Sequence, residues 1–153
     1  MANKPEKKKV VLASGVFDLI HLGHVRFLEE AKRAGGENAK LIVIIARDNN
    51  VEKMKGRKPI MSENQRRTLV ESLKVVDETV LGYEKFDIAE IIQKMKPDII
   101  ALGYDQVEME LNVKKHIAKR KLYIEVFRIG KFGANALDSS SKIKQKIIDK
   151  LAK

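Results

Sequence analysis

Two of the chain's three histidines, His21 and His24, lie three residues apart with Gly23 between them. They end the segment Gly15-Val16-Phe17-Asp18-Leu19-Ile20-His21-Leu22-Gly23-His24. A second group, Lys53, Lys55, Arg57 and Lys58, surrounds Gly56. A third, Ser139-Ser140-Ser141, opens a stretch with apolar residues at Ile143, Ile147 and Leu151. Imidazole, ammonium, guanidinium and hydroxyl groups are all donors suited to phosphate oxygens. Placed at helix N-termini, the first and third groups gain free backbone N–H groups and the positive end of a helix dipole. Gly23 lets a phosphate approach the backbone closely. The chemistry implied is the handling of phosphorylated ligands.

The elements that must position these groups alternate along the chain. Lys9 to Ser14 reads as a buried strand and Leu22 to Ala34 as a helix stopped by Gly35-Gly36. Leu41 to Arg47 is a second strand, and Asp48 to Met61 a polar loop with Gly56 and Pro59. Ser62 to Leu73 is a helix with a capping-box spacing at Ser62 and Gln65, followed by a strand over Val75 to Leu81. Asp87 and Glu90 repeat that spacing and open a helix to Lys94. A strand follows at Pro97 to Leu102, a helix at Glu108 to Arg120, a strand at Leu122 to Phe127 and a last helix at Ser139 to Leu151. The order predicts an α/β fold: a Rossmann-like five-stranded parallel sheet with helices on both faces. The 153 residues are expected to form one domain, with residues 1–8 flexible. Ligands of such sheets bind beyond the carboxyl ends of the strands, at the switch in strand order. There lie Ser14 to His24, Arg47 to Pro59, Gly103 to Gln106 and Phe127 to Ser141.

Composition narrows the choices. With no cysteine, a thiolate metal site, a disulfide framework and a cysteine nucleophile are excluded. The longest apolar run, Leu41 to Ala46, is too short to span a membrane, and no secretory signal pattern opens the chain, so a cytoplasmic location is expected. The formal charge is +10. Residues 1–9 hold four lysines and one glutamate, and residues 142–153 hold five lysines and one aspartate, so seven of the ten excess charges lie at the two ends. Neither end carries an aromatic for base stacking, so these runs read as solvated surface, with no specific nucleic-acid partner. The histidine pair alone could also be a metal pair or plain helix caps, although no third ligand is nearby. Ser139 and Lys142 match S-x-x-K, but the partner motifs of a serine hydrolase are absent. His116, on a lysine-rich helix, reads as structural.

Neither G-x-x-x-x-G-K-[ST] nor G-x-G-x-x-G occurs. The segment Gly15-Val16-Phe17-Asp18 with His21-Leu22-Gly23-His24 instead resembles the G-x-F-D-x-x-H-x-G-H signature of the nucleotidyltransferase superfamily. Lys55-Gly56-Arg57-Lys58-Pro59, the helix around Arg66-Arg67, and Ser139-Ser140-Ser141-Lys142-Ile143 are further matches, the last similar to the S-T-T-x-I element of cytidylyltransferases. Pro97-Asp98-Ile99-Ile100-Ala101-Leu102-Gly103-Tyr104-Asp105-Gln106 resembles the P-D-I-I-x-L-G-x-D-Q segment of archaeal-type FAD synthetases, with Ala46-Arg47-Asp48 and Gln65-Arg66-Arg67 also fitting.

The resemblance implies transfer of AMP from ATP to FMN, with a divalent cation, Mg²⁺ by default, no metal site of the protein's own, and a homodimer. It implies catalytic roles for His21, His24 and Lys55, and nucleotide binding by Gly15, Val16, Phe17, Asp18, Leu22, Gly23, Arg57, Asp105, Arg128, Ser139, Ser140 and Ser141, with the two histidines. Phe17 is expected to pack under the nucleotide. Asp105 could meet the base, the ribose or a magnesium ion, or simply cap a helix. Cytidylyltransferases carry an arginine five positions before S-T-T. Here that position is Ala134, and Arg128 or Lys131 are the candidate substitutes. Tyr83, Tyr104, Tyr123, Phe127 and Phe132 are available as flavin walls. The alternative readings are a CTP-dependent glycerol-3-phosphate cytidylyltransferase and a non-enzymatic nucleotide- or nucleic-acid-binding domain.

Overall fold

A computed structural model describes residues 7–85, 87–132 and 138–153. Ala134 and most of the segment 1–8 therefore lie outside the described residues. The strands are β1 (Val10–Gly15), β2 (Lys40–Ile45), β3 (Glu78–Leu81), β4 (Ile99–Gly103) and β5 (Glu125–Ile129). The helices are α1 (Leu22–Ala34), α2 (Asp48–Lys55), α3 (Glu63–Glu71), α4 (Ile88–Met95), α5 (Val107–Arg120) and α6 (Ser140–Leu151). All four strand pairings are parallel, in the order β3-β2-β1-β4-β5.

The unbroken apolar runs of β1, β2 and β4 follow from burial of both sheet faces. Val11, Ala13, Leu41, Val43, Ile99 and Ala101 pack on one face with Leu28 and Ala31 of α1 and Val70 of α3. Leu12, Ile42, Ile44, Ile100 and Leu102 pack on the other with Ile91 and Ile92 of α4 and Val113 of α5. Burying a side chain such as Leu28 stabilises the fold by about 1.5–3 kcal/mol. Among the described residues no helix is long and apolar enough to cross a membrane.

β1 lies between β2 and β4, so the chain leaves it for one half of the sheet and returns beside it for the other. The switch in strand order thus falls at the carboxyl ends of β1 and β4, where the expected site segments begin.

Two strands begin three residues later than expected, β3 at Glu78 and β5 at Glu125, and one segment differs in kind. Residues 48–55, expected as loop, form α2. Its apolar content is slight, which hid it from periodicity, and it is held by its ends instead. The Asp48 N–H donates to Glu63 Oε2 (2.8 Å) and the Glu63 N–H to Asp48 Oδ2 (3.3 Å), so α2 and α3 cap each other. Val51 is its one buried residue, and Gly56 closes the last turn at φ 77°.

Candidate active site

The turn after β1 is bent by two residues in the left-handed region, Phe17 (φ 54°) and Leu19 (φ 51°), a conformation that must be held by its surroundings. Phe17 is held by burial. Its ring lies so close to Gly15 that a Cβ there would come within 2.9 Å of it, and its centroid is 5.3 Å from that of His24. The expectation of a packing residue at Phe17 fits this placement.

His21 is the N-cap of α1. Its Nδ1 accepts the His24 N–H (3.4 Å), and His24 Nδ1 accepts the His21 N–H (3.3 Å). The two histidines thus form a capping box with each other, in which both Nδ1 atoms are acceptors. A neutral ring in that arrangement carries its proton on Nε2. The rings stack at 3.7 Å between centroids. Burial, then repulsion from His21, holds the His24 pKa down to about 3, with Lys55 adding to the depression and Asp18 opposing it. Burial also lowers that of His21, against an opposing pull from Asp138. Near neutral pH the pair therefore presents two Nε2–H donors and no formal charge.

The last helix begins on top of this pair. A Cβ at Gly23 would sit 2.5 Å from the Asp138 carbonyl oxygen, so only glycine permits the approach. The Ser140 hydroxyl donates to the Asp18 carbonyl oxygen. Ser139 is the N-cap of α6, its Oγ accepting the Lys142 N–H (3.2 Å). The N-termini of α1 and α6, with their histidines and serines, are thus brought side by side. Ser141, exposed, opens the same turn.

Asp18 has a structural part. Its carboxylate is buried, accepts the N–H groups of Ile60 (2.7 Å) and Met61 (3.0 Å), and lies 3.8 Å from Lys144 Nζ of α6. It ties the basic segment after α2 and the last helix to the histidine turn. Lys55, the last residue of α2, and Arg57, just beyond it, are exposed. Lys55 is close enough to depress His24.

Two residues that hold the site were not singled out for it by sequence. Arg66 is fully buried. Its Nη1 donates to the Val16 carbonyl (2.6 Å), Nη2 to the Ala46 carbonyl (2.8 Å) and to Asp48 Oδ1 (2.7 Å), and Nε to the Met61 carbonyl (3.0 Å). One guanidinium thus clamps the exits of β1 and β2 and the end of the basic segment. A signal existed: Arg66 stands four residues before the apolar Val70, on the inward stripe of α3. Gln106 bridges the switch point, its Oε1 accepting the Gly103 N–H (2.8 Å) and its Nε2 donating to the Ser14 carbonyl (3.3 Å).

The remaining candidates divide. Asp105 is exposed beside Gly103 and makes no cap bond to α5, whose N-cap is Gln106. Arg128 is engaged on α5 by Glu110, at 2.5 Å. Lys131 instead lies 5.7 Å from the Tyr104 ring and acts on Asp138, at the start of the last helix. Two of the aromatic candidates lie away from the histidines. Tyr123 precedes β5, at the opposite end of the sheet from the histidines, and Tyr83 follows the edge strand β3. Among the described residues no group of three or more His, Asp or Glu could hold a metal ion.

A parallel sheet whose switch point carries a mutually capped imidazole pair, faced by a serine-opened helix, defines a nucleotidyltransferase. A family model described as cytidylyltransferase-like matches residues 12–146, and the chain belongs to that family. It is 51% identical over 140 residues to an FAD synthase of Ferroglobus placidus, covering 92% of this chain and 88% of the relative. It is 48% identical over 146 residues to an FAD synthase of Methanothermobacter marburgensis, covering 95% and 89%. A solved structure of a lipopolysaccharide core biosynthesis protein from Thermoplasma volcanium matches with TM-score 0.74 and 40% identity, over 83% of this chain and all of that one.

Proposed function

We propose that the chain is an FAD synthase, transferring AMP from ATP to FMN with release of pyrophosphate. The chemistry rests on the imidazole pair, which leaves both Nε2–H groups outside the cap, on a turn that lies against the start of the last helix. The choice of substrates rests on the relatives, which carry that name at about half identity over nearly the whole chain.

A phosphate oxygen of FMN attacks the α-phosphorus of ATP. That P–O bond forms as the bond to the pyrophosphate oxygen breaks. The attacking phosphate is ionised near pH 7, so no general base is needed, and catalysis is positioning plus stabilisation of charge on the transferring group. His21 and His24 donate to that group as neutral imidazoles. A single donor of this kind contributes about 3–4 kcal/mol to the transition state. Lys55 and Arg57 grip phosphates from the basic segment, and Ser139, Ser140 and Ser141 hold the leaving phosphates at the N-terminus of α6. Lys131 supplies the cation that related enzymes place before their serine–threonine element, since Arg128 is paired with Glu110. Gly15, Val16, Leu22 and Gly23 line the approach through their backbone, and Asp105 stands where a base or ribose would lie. Mg²⁺ arrives with ATP, carried by its phosphates and water. The reading includes a homodimer working in the cytoplasm, by analogy with the family.

A grid of ATP or CTP against FMN, glycerol 3-phosphate and phosphopantetheine, read by pyrophosphate release, tests the assignment. Turnover is expected with ATP and FMN. Turnover with CTP alone would keep the enzyme class and overturn the FAD synthase reading.

A further inference from the structure

Of the aromatic residues that could have walled a flavin, Tyr83 and Tyr123 lie away from the histidines, whereas the segments around the histidines expose large aliphatic side chains. Leu22, between His21 and Gly23, is 47% exposed, Met54 on α2 is 74% exposed and Ile60 is 66% exposed. Scattered apolar residues on a surface need no explanation. These three, however, come from the segments that meet at one place. Ile60 is fixed there by its N–H bond to Asp18 (2.7 Å), three residues before His21. Met54 lies in the last turn of α2, which Gly56 closes just ahead of the Ile60 segment. The backbone that carries Ile60 and Met54 is anchored to the Asp18 carboxylate and, through Asp48 and Met61, to buried Arg66. The lip is therefore preformed, and a ligand that covers it spends little on ordering it.

We infer that Leu22, Met54 and Ile60 form the apolar lip on which the isoalloxazine ring of FMN docks, an inference that rests on the FAD synthase reading. Ligand sites combine apolar walls with a few placed polar groups. The polar groups here are Lys55 and Arg57, which hold the FMN phosphate near the imidazoles. Arg57 and Ile60 are at most ~10 Å apart along the chain, a span that the ribityl chain bridges between phosphate and ring. The thioether of Met54 suits an aromatic face, being polarisable and adaptable in shape. A small acceptor such as glycerol 3-phosphate has nothing to place on this surface, so the lip selects a phosphate monoester that carries a large flat ring.

The test uses the full-length enzyme with Met54→Ser, Ile60→Ser and the double variant. Both side chains are exposed, so folding is preserved. FMN affinity is read from quenching of flavin fluorescence and from its KM, with the KM for ATP measured alongside. Each single variant should weaken FMN about tenfold and leave ATP within about twofold. A wild type that makes FAD, with variants that keep the wild-type KM for FMN, overturns the lip alone. So does a Tyr104→Ala variant that weakens FMN while the lip variants do not. A wild type that makes no FAD from ATP and FMN overturns both the reading and its acceptor.

Discussion

The depressed pKa of His24 makes a stability prediction separable from catalysis. Free histidine titrates near pH 6.5, whereas His24 in the fold is held to about 3, chiefly by burial and by the neighbouring imidazole. Between those values the unfolded chain binds a proton that the native protein refuses. The unfolded state binds more protons throughout that window, so stability falls as pH falls, by ~1.4 kcal/mol per pH unit. At pH 5, one and a half units below the free value, the loss from this residue is about 2 kcal/mol. The informative variant is His24→Asn, whose amide oxygen can replace Nδ1 as acceptor of the His21 N–H (3.3 Å) and keep the cap. Urea unfolding of both proteins at pH 7.5 and pH 5 gives the two losses. Carboxylates that also weaken the fold in acid are common to both and cancel. The wild type should lose about 2 kcal/mol more than the variant, a difference of roughly 1 M in urea midpoint. Equal losses, or a His24 titration near pH 6.5 by NMR, would refute the buried neutral pair.

Gly23→Ala should destabilise the protein in urea unfolding despite the helix preference of alanine, and lower kcat at least tenfold, because its Cβ would sit 2.5 Å from the Asp138 carbonyl and 2.9 Å from the His21 ring and push the last helix off the histidines. Arg66→Met should destabilise the protein by about 3–5 kcal/mol in urea unfolding, because it leaves Asp48 and the carbonyls of Val16, Ala46 and Met61 without their donor. The acid limb of kcat/KM for FMN should follow ionisation of the acceptor phosphate near pH 6 and stay in place in His24→Asn; a limb that moves in the variant would make the imidazole a titrating catalyst. Chelation with EDTA should abolish FAD formation and added Mg²⁺ restore it.

The sheet and five of the helices were legible because both-face burial leaves unbroken apolar runs and helix starts carry Ser or Asp caps: Ser62 and Asp87 cap where the spacing placed them. α2 was not legible, because its stability comes from exchange of caps with α3, a contact fifteen residues away in sequence. The strand–helix alternation put the starts of α1 and α6 at the same end of the sheet, but periodicity says nothing about how closely those helix ends meet. Asp18 and Arg66 show the same limit more sharply. Asp18 stands in the nucleotide signature and the Arg66 guanidinium suits phosphate, but in the fold one accepts backbone N–H groups and the other donates to backbone carbonyls. A charged side chain on a predicted inward stripe was the available sign that Arg66 is structural. Nothing local distinguishes Arg128, paired with Glu110, from Lys131, which lies 5.7 Å from the Tyr104 ring.

The central claim is that the imidazole pair and the serine-opened helix grip a single triphosphate from two sides. A crystal structure with FMN and an ATP analogue that resists transfer measures this directly. The account predicts phosphate oxygens within hydrogen-bond distance of His21 Nε2, His24 Nε2 and the N–H groups that open α6. Phosphates bound elsewhere, with the imidazoles touching no part of the nucleotide, would contradict it.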